Sequence, residues 1–445
     1  MINRGLTILA LLALAITVPL AQGAPRKLLQ DATVLSDVNN ILADDGIGGT
    51  TTGSNSFNFD NIADDVGDAK ISIDAVNDLS GEDSILASTS GINVGGLTNV
   101  ADGSANDADI TIGADNSVVN SGTLADATVV NSLDGSNVNQ NGGFAEISGS
   151  VFNEVDNSGI DTSGFFVNDL TANNINSNTD RNDFAGIDAE FGNLGNIGGI
   201  GNSATGINSA DLTNIASING AGASIDMDLG NDVDVFGIDN VGSGINDFQA
   251  TNINQDNNNY VLTDIETTSF NDLSIDGVGN SATAVNSGSL SNIGRDSDAF
   301  VGTNTYNGVG VSGIGNNALS VSNVNVDNIA DVEVWGVDAG VDVGASNTGY
   351  VGGIQNSATT INDVSATNIA SGDFAGTSAG ASNTFSVGGI GNSATAVNSF
   401  DTTNIGNGGD AYVDITGNND IDSSGINGRA FGSNSVSGSN IAGRK

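Results

Sequence analysis

The sequence contains no cysteine and no histidine. Without cysteine there are no disulfides and no thiolate nucleophiles, and without histidine most acid–base dyads, nucleophilic triads and zinc sites lose their usual members. Proline occurs only at Pro19 and Pro25, so residues 26–445 are proline-free. Chains rich in turns use proline there, whereas continuous hydrogen-bonded strands exclude it because each backbone N–H is needed by a neighbour. Basic residues are also scarce, 9 against 53 acidic ones, for a net charge of −44. Such a balance repels nucleic acid and anionic membranes and favours cations or basic partners.

High charge together with 63 glycines is a composition compatible with disorder, but 38% of residues are hydrophobic and spread along the chain. The one long apolar run follows Arg4 and ends at Ala21-Gln22-Gly23, which reads as a signal peptide over 1–23. No membrane span is expected beyond it, so the mature chain is expected to be exported, extracellular or at the cell surface. No Asn is followed two residues later by Ser or Thr, so N-glycosylation acceptors are lacking.

What is present is repetition. An 18-residue motif starts at Gly46, Ser84, Gly122, Gly159, Gly199, Gly237, Gly277, Gly313, Gly353, Gly389 and Gly425, with spacings of 38, 38, 37, 40, 38, 40, 36, 40, 36 and 36 residues. Near-constant periods of this kind mark a stacked repeat architecture. Fifteen residues after every start stands an Asn followed by Ile or Val: Asn61, Asn99, Asn137, Asn174, Asn214, Asn252, Asn292, Asn328, Asn368, Asn404 and Asn440. Nine residues after each start stands a second, Asn55, Asn93, Asn131, Asn168, Asn208, Asn246, Asn286, Asn362, Asn398 and Asn434, broken once by Ser322 with Asn323 beside it. A side-chain amide satisfies donor and acceptor together when it bonds to its own copies above and below, so both series read as structural ladders.

Locally the pattern alternates with period two. Asn392, Ala394, Ala396 and Asn398 alternate with Ser393, Thr395 and Val397, while Ile225, Met227, Leu229, Val233 and Val235 alternate with Asp226, Asp228, Asp232 and Asp234. Gly230-Asn231 reads as a bend. The expected fold is an all-β solenoid, a β-helix or stack of β-arches, over residues 46–442 in eleven repeats of about 38 residues, with a basic tail at 443–445. One period fits either one large coil or two smaller ones. In segment 24–45, Leu28, Val34, Leu35, Val38, Ile41 and Leu42 keep a spacing nearer 3.6, which predicts a short capping helix.

The phrases from Gly389 to Asn398, Gly277 to Asn286 and Gly199 to Asn208 fit G-x-G-N-x-A-x-x-x-N. This resembles the repeat of curli-type fibre subunits, which have Gln at the last position. The resemblance implies stacked β-arches, inward-pointing Asn392 with Asn398, Asn280 with Asn286 and Asn202 with Asn208, and polymerisation into an amyloid-like extracellular fibre. This chain departs from that family in its longer period and in lacking the family's opening Ser-x5-Gln.

Function follows from the same features. Lys70, Arg181, Arg295 and Arg429 are isolated in different repeats and no insertion interrupts the repetition, so no catalytic cluster and no cofactor are expected and the chain does not read as an enzyme. Ser393 stands where glycine-rich calcium repeats have their Asp, which leaves only diffuse calcium binding by the carboxylates. The expected role is a self-associating structural subunit of an extracellular fibre, matrix or surface layer. The alternative is a monomeric adhesive or ice-binding solenoid, for which Thr128, Thr205, Thr283, Thr359 and Thr395 would form the hydroxyl row.

Overall fold

The computed structural model describes residues 32–443, apart from 44–48, 66–67, 86–87, 104–106, 141–142, 178–183, 218–221, 256–261, 332–336, 373 and 408–409. The expected leader, Arg181, Trp335 and the last two residues of the basic tail lie outside the described residues.

The described chain is all β. Twenty-two strands, numbered in chain order from β1 (Ala32–Ala43) and β2 (Thr50–Asp65) to β21 (Asp410–Ser423) and β22 (Arg429–Gly443), form two parallel sheets. One sheet holds the eleven odd-numbered strands in order and the other the eleven even-numbered ones. Each period therefore contributes one strand to each sheet, which makes one period one coil. At roughly 4.8 Å per stacked strand the rod is about 50 Å long.

Register is set by identity of position. β12 (Val241–Gln255) lies between its neighbours with Asn208, Asn246 and Asn286 in one file and Asn214, Asn252 and Asn292 in another. A slip of one residue would turn every buried side chain outward, so the alternation of each strand locks its neighbours.

The sheets face each other across a thin apolar interior. In β11 (Gly222–Ile238) Ile225, Met227, Leu229, Val233 and Val235 are buried, and the aspartates alternating with them are exposed, as the period-two pattern predicts. The interior divides into two apolar zones. One contains Ile225, Met227, Leu229 and Phe248, the other Val233, Val235, Ala204 and Ala282. Each fully buried aliphatic side chain of this kind contributes about 1.5–3 kcal/mol.

Two expectations fail. The segment expected to form a capping helix is a strand over Ala32–Ala43, so the solenoid begins before Gly46; Leu28 lies outside the described residues. Val34 packs inward above Ile71, whereas Leu35 and Ile41 are 76% and 79% exposed on the outer face. The helical spacing arose from mixing apolar residues of both strand faces, and pairing with the strand Ala69–Ile85 decided the outcome. Gly230-Asn231 is no bend but lies inside β11, with Asn231 fully buried.

Candidate functional site: amide columns and a glycine arch

Each coil turns from the odd to the even strand through an arch built on the motif's opening phrase. Gly199, Gly237, Gly277, Gly313, Gly353 and Gly389 have φ between +89° and +126°, a region that side chains disfavour. They also stack so closely that a Cβ on Gly277 would run into the carbonyl oxygen of Gly237. Glycine is thus required twice over at this corner.

Three residues after the glycine, an asparagine closes the arch. Asn202, Asn280 and Asn392 are buried, as the fibre resemblance implies, but they are not rungs bonded amide to amide. Asn280 Nδ2 donates to Asp276 O at 2.7 Å and Gly237 O at 3.3 Å, while its Oδ1 accepts from the backbone N of Asn240 at 2.8 Å. Each such side chain ties a carbonyl of its own turn to the glycine carbonyl of the coil before it, which already accepts a backbone N–H where it is Gly277, Gly313 or Gly353.

The column fifteen residues after each start is unbroken. From Asn61 to Asn440, every Nδ2 donates to the Oδ1 of the next coil's asparagine at 2.8–3.2 Å. Each amide also clamps the start of the odd strand: Asn252 donates to Ala223 O at 3.0 Å and Asp264 O at 2.8 Å.

The column nine residues after each start runs through Asn55, Asn93, Asn131, Asn168, Asn208, Asn246 and Asn286 and resumes at Asn362, Asn398 and Asn434. The gap is Ser322, which stays buried and receives a bond from Asn307 at 2.5 Å, while Asn323 points outward.

A further column escapes the forward reading of the motif. Six residues before the start stand Asn116, Asn153, Asn193, Asn231, Asn271, Asn307, Asn347, Asn383 and Asn419, joined along the odd sheet at 2.8–3.1 Å. These amides also bond across the interior, as in Asn231 Nδ2 to Asn246 Oδ1 at 2.8 Å and Asn246 Nδ2 to Asn271 Oδ1 at 3.2 Å. The two central columns therefore lace the sheets together between the two apolar zones. The signal was present in the sequence as a third asparagine at constant offset before the glycine.

The outer faces differ. On the odd sheet Asp188, Asp226 and Glu266 occupy one file. Burial first, then like-charged neighbours, raises the carboxyl pKa of Asp226 and Asp264, and likewise of Asp232, Asp115 and Glu146. Lys70 is no lone charge: it bonds Asp109 at 3.1 Å and faces Asp68 at 3.8 Å. No group of three or more acidic side chains is arranged to hold a metal ion among the described residues. On the even sheet the threonine row is interrupted, since Thr128, Phe165, Thr205, Ser243, Thr283, Leu319, Thr359 and Thr395 share one file. No helix of the described chain is long and apolar enough to cross a membrane. Comparison with protein-family models, curated proteins and solved structures finds no match for this chain.

Proposed function

We propose that the protein is a non-catalytic structural rod, exported and assembled end to end into an extracellular fibre, matrix or surface layer. The observation that carries this reading is the complementarity of the two ends. In the last coil Asn434 and Asn440 are exposed, although the same positions one coil earlier, Asn398 and Asn404, are fully buried. Among the described residues Asn440 Nδ2 donates to Ala411 O alone, whereas Asn404 Nδ2 donates to Ala375 O, Tyr412 O and Asn440 Oδ1. The last coil thus presents spare donors. At the first coil Asn55 and Asn61 donate onward, and their Oδ1 atoms receive no ladder bond among the described residues.

Counting from the motif starts, the last coil of one copy meets the first coil of the next with Asn434 over Asn55, Asn440 over Asn61 and Ala411 over Ala32. Among the described strands β1, β2, β21 and β22 are the outermost of their sheets, and strand edges of matching period are templates for addition of further strands. Divalent cations, held diffusely along the acidic face, would relieve repulsion between copies. The interrupted threonine file disfavours the ice-binding alternative.

Negative-stain electron microscopy of the chain from Ala24, with and without calcium, tests the reading. Filaments of uniform width, many times longer than one chain, are expected. Single rods about 50 Å long at every concentration would refute end-to-end assembly.

A further inference from the structure

The arch edge carries a feature that neither the core nor the amide columns use. The residue after each arch glycine points into solvent, yet it is aliphatic in coil after coil: Ile200, Ile238, Val278, Ile314, Ile354 and Ile390 are 40–46% exposed. Their backbones are bridged from one coil to the next, so the side chains form one continuous ridge along the rod. Stacking on the coils above and below covers part of each of these side chains, since Ile426 in the last coil is 64% exposed, but much of each still faces water.

The surroundings of the ridge are equally unusual for a chain of charge −44: the arches at 277–281, 313–317, 353–357, 389–393 and 425–428 contain no charged residue. Asp161, Asp239 and Asp276 flank the ridge further toward the first coil and Arg429 follows the last arch. Between Val278 and Ile426, however, the strip itself is apolar and uncharged, and such a strip on a highly charged protein marks an interaction surface. We infer that this ridge is a lateral docking surface for the same ridge of a second copy.

Two arguments select that occupant. The aliphatic knobs recur at the rise of the coil, roughly 4.8 Å, and a second copy offers knobs at the same rise, so the two rows interlock along their whole length as a dry zipper. Two rods of equal negative charge repel wherever acidic faces meet, and the arch edge lets them approach without opposing carboxylates. This pairing is independent of end-to-end growth: lateral docking changes filament width and growth changes filament length.

Sedimentation velocity of the chain from Ala24, with microscopy of its filaments, reads the pairing directly. Particles two rods wide, whatever their length, are expected, and more of them at about 1 M than at about 0.1 M salt, because screening shortens the Debye length from about 10 Å to about 3 Å. The triple variant Ile314→Ser, Ile354→Ser, Ile390→Ser is expected to sediment as single rods with an unchanged melting temperature. A second variant guards against misfolding. Gln355 and Asn427 have φ of +58° and +59°, values that Asp161 and Asp239 adopt at the equivalent positions, +53° and +56°. Gln355→Asp with Asn427→Asp therefore adds charge beside the ridge without a new backbone strain, and should raise the dissociation constant for pairing at least tenfold at low salt, with partial recovery at high salt. Wild-type rods that stay single at every salt and concentration, or variants that pair like wild type, would overturn the inference. Binding to phosphatidylcholine vesicles without any pairing would overturn it in favour of a lipid surface.

Discussion

The two edges of the solenoid obey different rules. Across the arch edge, from Asn116 onward, the amide before the turn and its partner after it are fifteen residues apart, as in Asn153 with Asn168, Asn231 with Asn246, and Asn419 with Asn434. Across the opposite edge, the distance from each clamp asparagine to the carbonyl it grips on the following strand varies. It is 8 residues for Asn292 to Phe300, 9 for Asn137 to Glu146, 10 for Asn214 to Ser224 and 12 for Asn252 to Asp264. These values rise in step with the periods of 36, 37, 38 and 40 residues that begin at Gly277, Gly122, Gly199 and Gly237. The first repeat places its extra residue in a bulge between Gly81 and Ser84. Apart from that bulge, which lies on the arch side, length variation is thus confined to the opposite edge. The arch has no slack because its glycines touch backbone to backbone, whereas the clamp asparagine fixes where each loop ends and leaves its length free.

Substitution at the arch should have the largest effect. Gly277→Ala places a methyl against the Gly237 carbonyl at a φ of +126°, and is expected to destabilise by at least about 4 kcal/mol in urea unfolding. Next comes the clamp on the opposite edge. Asn252→Leu removes the ladder acceptor of Asn214 and the donor to Asn292, Ala223 and Asp264, and should cost about 3 kcal/mol, with unchanged stability counting against the ladder. Insertion of three small residues sharpens the contrast between edges. Placed within 256–261 it should shift stability by less than about 1 kcal/mol, and placed between Gly315 and Asn316 it should abolish cooperative unfolding of the full rod.

The smallest effect concerns the acidic face, which borders both edges. Carboxyl groups of Asp226, Asp264 and Asp232 are raised by burial and by like charges, so the folded chain holds protons at a pH where the unfolded chain has released them. Stability from these groups is present below the ordinary carboxylate range and is lost as pH rises through their raised values. A melting temperature that increases modestly as pH falls from neutrality into the ordinary carboxylate range is expected, and a steady decrease over that interval would contradict it.

The two forward columns were legible because the motif is read naturally from its glycine and because an amide stands at every rung but one, Ser322. The column preceding the glycine was not, and the reason is physical. Gly192-Asn193 and Gly230-Asn231 look like turn dipeptides, but the glycines are there because the rings of Phe152 and Phe270 lie over them. The N-terminal strand was misread for a related reason. On the outer face of an end coil, Leu35 and Ile41 are apolar without being buried, which blurs the alternation that is plain in β11 and around residues 392–398.

The uniform direction of the columns has an electrical consequence. In a parallel sheet successive backbone carbonyls point opposite ways along the stacking axis and their dipoles largely cancel. Side-chain amides in these columns do not alternate, since each Nδ2 points toward the last coil. Each amide carries a moment similar to the roughly 3.5 D of a peptide unit, so the columns add like the units of a helix. The rod is therefore polarised, partially positive at its last coil and partially negative at its first, and reversing one amide would set donor against donor on one side and acceptor against acceptor on the other.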